Sequence, residues 1–389
     1  MSAEWRSRLV RRAVETLSWA AALAGAPLNR CRDGRWAGVA QVGAVQAGGE
    51  TIYRRELQAF FPPAPVDLPG RWPAAHLYRI ADARVGGLCG SIFLQDGALL
   101  SVCPWVDMLA DKRVRRSMRL FERRLTGPVL HLLGRNHENH GHCLFEYLPR
   151  VVAAEPWLRA RSGLRIGIAG EFARWQRRYL ALLGYEGEQV VELWPGTTRV
   201  EELFFVPRLS GLSSLPDPAV MRATVVRLQA GARALVPGIA AAPEPGRVVF
   251  VSRSDAPNKR LLNEAELVAS LRRVFPAVET VRLSSLAFPQ QLEVMARAAV
   301  VVGPQGMGLS NMAFLSGRLL VCLEAGSPPP EMAWEAAYCI HAEHGGNRSV
   351  TLYGGQERIS PHRDYFYPAE KFESEMRKLA HQLGLATDH

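Results

Sequence analysis

Lysine is nearly absent from this chain. Across 389 residues it stands only at Lys112, Lys259, Lys371 and Lys378, yet the formal net charge is +10, so arginine carries the surplus. Such a charge attracts phosphorylated ligands, anionic lipid or nucleic acid. No basic tail and no nucleic-acid motif accompanies it, which removes nucleic acid from the expected partners. Cysteine is scarce as well, at Cys31, Cys89, Cys103, Cys143, Cys322 and Cys339. No two stand at C-x-x-C spacing, which excludes the usual zinc and dithiol motifs. Cys143 and Cys322 lie in apolar runs and read as core residues, in keeping with a reducing cytoplasm. No apolar run approaches the roughly 20 residues that cross a bilayer. Nothing looks repetitive or disordered.

What is present is an ordinary globular composition, 48% hydrophobic and 22% charged, at a length that favours two domains. The N-terminus admits two readings. Arg6, Arg8, Arg11 and Arg12 precede Leu17 to Ala26, which ends in Ala24-Gly25-Ala26 like a signal peptide, although Glu15 and Thr16 interrupt it. The same residues also make an amphipathic helix that docks on the protein or rests on a membrane surface.

Residues 1–80 read as an extension with a proline-rich linker at 60–70. From Leu88 strands begin, with a hairpin turn at Gln95-Asp96-Gly97. Residues 111–125 form a basic helix candidate, with Lys112, Arg116, Arg119 and Arg123 at helical spacing. Strands and helices then alternate, which argues for a mostly parallel sheet. Gly184 suits the end of one helix. The Pro/Ala/Gly stretch near 237–245 is the best domain boundary, and beyond it a second β/α series starts at 247–252. Asn263 with Glu266 reads as a helix cap. The expected domains are 81–238 and 239–350, followed by a tail and helix at 351–389. Two such sheets place a cleft between them, and ligands of open α/β sheets bind at the carboxyl ends of strands.

Four chemically useful places fall at such ends. After the apolar run Ala299–Val302 comes Gly303-Pro304-Gln305-Gly306-Met307-Gly308-Leu309-Ser310-Asn311. A glycine-rich turn between a buried strand and a helix can bring backbone N–H groups to a phosphate; it can equally be a tight structural turn. Arg253, Lys259 and Arg260 follow another strand and suit a diphosphate, with Asp255 weakening their field. Glu324 ends the strand after the glycine turn and can accept hydrogen bonds from ribose hydroxyls. A dinucleotide fingerprint is not matched, because the third glycine is missing and the turn comes late in its domain. Lastly, Asn139 and His140 stand just before His142, which shares a helix face with Glu146. A carboxylate orients an imidazole and raises its basicity, as a general base for a sugar hydroxyl needs. His131, His137, His140 and His142 lack an acidic cluster, so no metal is expected.

In this order the three motifs resemble glycosyltransferase family 61, including bacterial proteins of capsule and surface polysaccharide synthesis. The likeness rests on Asn139-x-x-His142-x-Leu144-x-Glu146-x-Leu148-Pro149-Arg150, on Ser252-Arg253 with Arg260, Asn263 and Glu264, and on Gly303 to Asn311 ending at Glu324. It covers about residues 85–370. The resemblance implies a GT-B-like α/β fold of two Rossmann-like domains facing across a cleft. It implies inverting, metal-independent transfer, without cofactor, from a nucleotide-sugar donor to a glycan or lipid-linked acceptor, with the enzyme cytoplasmic or peripheral on the inner membrane face. The third motif departs from the family's usual Gly-Pro-His-Gly: Gln305 stands where the histidine would. Glutamine can donate a hydrogen bond to phosphate but cannot become cationic. That departure keeps open a second reading, a non-catalytic nucleotide-sugar or glycan-binding protein.

Overall fold

The computed structural model describes residues 28–29, 39–61, 67–86, 90–95, 99–100, 122–134, 139–170, 173–193, 197–209, 217–275, 277–326, 337–357 and 363–384. In chain order its strands are β1 (Leu28–Asn29), β2 (Ala40–Gln46), β3 (Gly49–Arg54), β4 (Asp67–Trp72), β5 (Ala75–Gly86), β6 (Ser91–Phe93), β7 (Leu99–Leu100), β8 (Glu122–His131), β9 (Arg165–Ala169), β10 (Val190–Leu193) and β11 (Thr197–Phe205). They continue as β12 (Glu244–Val251), β13 (Ala277–Val281), β14 (Ala298–Pro304), β15 (Leu319–Ala325), β16 (Arg348–Glu357) and β17 (Tyr365–Phe366). The longer helices are α1 (Leu148–Leu158), α2 (Ala173–Leu182), α3 (Pro218–Leu235), α4 (Glu264–Arg272), α5 (Phe288–Ala296), α6 (Ala337–His344) and α7 (Ala369–Gln382). The whole is a mixed α/β protein with parallel pairing in two sheets.

Two compact units separate, one drawn from Met1–Gly48 and Pro73–Leu209, the other from Gly49–Trp72 and Ser210–His389. The first holds a nine-stranded sheet, in the order β1-β7-β6-β5-β11-β8-β9-β10 with β2 also on β5. Strands β11, β8, β9 and β10 are mutually parallel, while β5 joins β11 antiparallel. Counted along the chain from β8, the parallel part runs 4-1-2-3, so the order reverses between β8 and β11. Its core gathers Val129, Leu203, Phe205, Ile80 and Val85 between the strands.

The second unit carries β13-β12-β14-β15-β16, all parallel, with β17 antiparallel at the end. Counted from β12 this is the order 2-1-3-4-5, which reverses between β12 and β14. Val300, Val301, Val302, Leu320, Val321 and Cys322 are each fully buried, as the unbroken apolar runs predict for strands covered on both faces. Asp217 caps α3 by accepting from the Ala219 amide at 2.7 Å, with Pro218 in the first helical position. Gly184 ends α2 with φ +88°, as expected.

The structure redraws three local expectations. Part of the presumed N-terminal extension is woven into both units: β2 pairs with β5, and β3 with β4 forms a hairpin of the second unit. Between them Leu57 and Phe61 enter that unit's core, and Gln58 binds both the N–H and the carbonyl of Thr351 at 2.9 Å. Residues 122–125 of the supposed basic helix are strand, because Leu125 is buried and the segment pairs with β11; residues 111–121 lie outside the described residues, as do residues 1–27. Asn263 does precede α4, but its side chain binds the backbone of Tyr367 and the Glu266 carboxylate rather than capping amides.

Candidate functional site

Chemistry gathers where each sheet's strand order reverses. In the first unit the chain leaves β8 and enters a helical run that is α over His140–His142, π over Cys143–Tyr147, and then α1. π turns recur at functional sites. Asn139 caps it, its Oδ1 accepting from the His142 amide at 3.2 Å. His142 Nδ1 lies 2.6 Å from Glu146 Oε1, so the ring's Nδ1–H donates to the carboxylate and Nε2 is the nitrogen left to exchange a proton. From beyond the neighbouring strand, Arg208 reaches the same Glu146 oxygen at 3.3 Å, and Arg150 Nε donates to the Glu146 carbonyl at 2.9 Å. Burial pushes the Glu146 carboxyl up, but the His142 hydrogen bond and the Arg208 charge outweigh it, and the group sits below its usual range. Glu146 is therefore an ionised anchor for the imidazole. Arg208 was not anticipated; its signal was its place, three residues past β11 at the switch. His140 does not join this pair. It stacks on Trp175 and meets the Tyr179 hydroxyl. His131 is buried and bound to the Gly90 carbonyl, and His137 lies outside the described residues.

In the second unit Arg253 follows β12 and Gln305-Gly306 follow β14, on either side of the other switch. A Cβ on Gly306 would stand 1.7 Å from Arg253 Nη1. The guanidinium thus occupies the space a side chain at 306 would need. Arg253 is steadied by Nη2 donating to the Asn258 carbonyl at 3.1 Å and by its amide donating to Glu264 Oε1 at 2.8 Å. Lys259, in a left-handed backbone conformation (φ +50°), donates from Nζ to Gln305 Oε1 at 3.0 Å.

The glycines of the turn divide by role. A Cβ at Gly303 would meet the Val251 carbonyl at 2.9 Å, and one at Gly308 would meet Leu283 at 2.9 Å; both serve packing, the structural alternative. Nor is the turn an open cradle along its length. Gln305, Leu309, Ser310 and Asn311 are buried, and Met307 and Gly308 are partly exposed. Ser310 Oγ donates to the Met307 carbonyl and Asn311 Nδ2 to Gln291, so these two hold the eight-residue 3-10 helix Met307–Phe314 in place. Arg260 turns elsewhere: Asp364 takes its amide at 2.9 Å and its guanidinium at 2.6 Å. Glu324 is the last residue but one of β15 and is buried, its Oε2 3.3 Å from the Ala325 amide. Among the described residues no group of three or more His, Cys, Asp or Glu side chains could hold a metal ion.

Reactive groups at the carboxyl ends of parallel strands, clustered at order reversals, are the layout of an α/β enzyme. Residues 140–322, which contain nearly all these groups, match the family model described as Glycosyltransferase 61. Over that segment, a little under half of its length, the chain carries a glycosyltransferase 61 domain, which supports a glycosyltransferase enzyme. No curated protein matches it. Among solved structures it is similar to rubredoxin oxygen:oxidoreductase from the anaerobe Desulfovibrio gigas at 10% identity, over 88% of this chain and 95% of that one, with a TM-score of 0.24. A likeness at that score carries no argument. Among the described residues no helix is long and apolar enough to cross a membrane.

Proposed function

We propose that the enzyme transfers a sugar, with inversion and without a metal, from a nucleotide-diphosphate donor to a glycan or lipid-linked acceptor in surface polysaccharide synthesis. The observation that carries this reading is the placing of Arg253 on Gly306 at the β12/β14 switch, the position where an open α/β sheet receives a ligand. Arg253 and Lys259 supply the positive charge that a departing diphosphate needs, and the partly exposed Met307 and Gly308 begin a helix whose first N–H groups suit an anion. Arg260 acts at one remove, holding its loop through Asp364. Glu324 takes the ribose. The labour is divided as in a GT-B enzyme, the second unit serving the donor and the first the acceptor.

In the transfer, the acceptor hydroxyl oxygen attacks the anomeric carbon as the bond from that carbon to the phosphate oxygen breaks. His142 Nε2 takes the hydroxyl proton, and Glu146 stabilises the imidazolium through Nδ1–H. The nucleoside diphosphate leaves with the bonding pair. The buried thiols of Cys143, Cys322 and Cys339 are free, which suits work in the cytoplasm or on the inner face of a membrane. Calorimetry with a panel of nucleotide sugars in EDTA tests the donor class and metal independence together. Saturable binding of at least one donor, followed by transfer that His142→Ala abolishes, is expected. No binding of any nucleotide sugar, or near-normal turnover by His142→Ala, overturns the corresponding assignment.

A further inference from the structure

The turn that delivers His142 also carries groups that the transfer chemistry does not use. His140 lies flat on Trp175, with ring centroids 4.2 Å apart and planes at 29°. Its Nδ1 is 3.2 Å from the Tyr179 hydroxyl, and Tyr179 meets Trp175 edge-on at 5.8 Å. Tyr179 is buried, whereas Trp175 and His140 are partly exposed. A buried tyrosine thus fixes a ring pair that still shows surface. Beside it, Asn139 spends its Oδ1 on the His142 amide, and its Nδ2 has no partner among the described residues. Burial, and then the Arg178 charge, push the His140 imidazole below its usual range. That favours the neutral ring, which neither repels a proton arriving on His142 nor competes for a phosphate.

The chemistry of this patch is aromatic surface beside neutral donors and acceptors, two residues from the general base. That combination suits a sugar ring, whose C–H face packs on an aromatic plane while its hydroxyls pair with amide and imidazole. A phosphate would call for guanidinium or ammonium groups instead.

We propose that Asn139, His140 and Trp175 form the acceptor-sugar subsite. The acceptor's terminal ring lies against the Trp175–His140 pair, and its hydroxyls are read by Asn139 Nδ2 and His140 Nε2. Tyr179 is a positioning residue that holds His140. The inference rests on the reading of His142 as base. It narrows the acceptor to one recognised through its sugar, whether or not a lipid is attached.

Saturation-transfer difference NMR with methyl glycosides of glucose, galactose, N-acetylglucosamine and xylose tests it on the full chain. At least one glycoside gives ring-proton signals with the wild type and with His142→Ala, since the base is not needed for binding. The signals fall about 5- to 10-fold in Trp175→Ala, the loss of one ring contact, and largely survive in Trp175→Phe. His140→Ala, which leaves the tryptophan in place, gives an intermediate loss and covers the case in which Trp175→Ala fails to fold. No signal from any glycoside, or signals unchanged in Trp175→Ala or in His140→Ala, overturns the subsite. Calorimetry of nucleotide sugars on the same samples separates the two readings, because a wild type that takes glycosides but no nucleotide sugar fails the donor assignment alone.

Discussion

Lys259 Nζ donates to Gln305 Oε1 at 3.0 Å, so the cation of one loop and the amide of the glycine turn form a single unit. Gln305 cannot carry charge, but it holds a group that does. With Lys259 in the proposed donor role, Lys259→Met should cost a charge-assisted contact to phosphate worth ~1.5–3 kcal/mol, which is about 10- to 100-fold in affinity. Gln305→Leu keeps the ammonium and loses its tether, and the expected loss is smaller, about 3- to 10-fold. Calorimetry with the best binder from UDP, GDP, ADP and dTDP gives the order. A Gln305→Leu variant that binds worse than Lys259→Met would reverse the argument.

Gly306 has φ 174°, extended backbone open to any residue. The demand for glycine there is therefore steric, set by the Arg253 guanidinium 1.7 Å from a virtual Cβ. Gly306→Ala should displace that guanidinium, lowering nucleoside diphosphate affinity at least about 10-fold while the melting temperature moves by only a few degrees. Gly308→Ala should do the opposite, since its Cβ meets Leu283 and the damage falls on packing. Equal effects of the two substitutions on binding would remove the distinction.

Much of this was legible in the sequence because β-branched runs and glycine punctuation are local signals. β14, β15 and the turn between them fall where Ala299–Val302 and Leu319–Leu323 place them, and His142 meets Glu146 as their spacing requires. Long-range partners were not legible. Nothing local to Arg260 shows that Asp364, 104 residues on, takes its guanidinium. Nothing local to residues 111–125 shows that Leu125 is claimed by a sheet. The same limit hid Arg208, which meets Glu146 only because β11 and β8 are neighbours, and it hid the meeting of Trp175 with His140.

The Arg260–Asp364 pair gives a prediction that separates fold from site. Arg260 is tied through three donor groups to a carboxylate that is almost fully buried. Arg260→Ala removes the two guanidinium donors from that carboxylate and should lower stability by about 1–3 kcal/mol, read as a shifted denaturation midpoint. Nucleoside diphosphate affinity in the folded variant should change less than about 3-fold, against a loss of at least about 10-fold in Arg253→Ala. If Arg260→Ala is fully stable and binds poorly, Arg260 touches the donor directly.

His142 and Glu146 should fail as a pair. Glu146→Gln keeps the shape but removes the charge that orients the ring and favours the imidazolium, and it takes one carboxylate contact from Arg208. Turnover should drop about 10²- to 10⁴-fold, the usual worth of a general base, with donor affinity unchanged. His142→Ala combined with Glu146→Gln should be scarcely worse than either alone, since both act through one proton transfer. Multiplicative losses in the double variant would show that Glu146 has a separate task.

Two glutamates should give the stability curve opposite slopes. Glu146 is held below its usual range by His142 and Arg208, so its contribution is present above the unfolded glutamate value and fades as the pH falls through the lower folded one. Glu343 is pushed up to about 7, chiefly by burial, against the pull of its Ser349 hydrogen bond and of Arg55. Its folded form holds the proton more tightly than the unfolded chain does, so its contribution is complete at low pH and is lost as the pH rises through about 7. Glu343→Gln cannot titrate. Denaturation measured from pH 5 to 8 should show this variant gaining on the wild type as the pH rises from 5 to about 7, with the difference levelling off above that. Parallel curves across that window would mean that Arg55, 3.9 Å from Glu343, keeps the carboxylate ionised throughout.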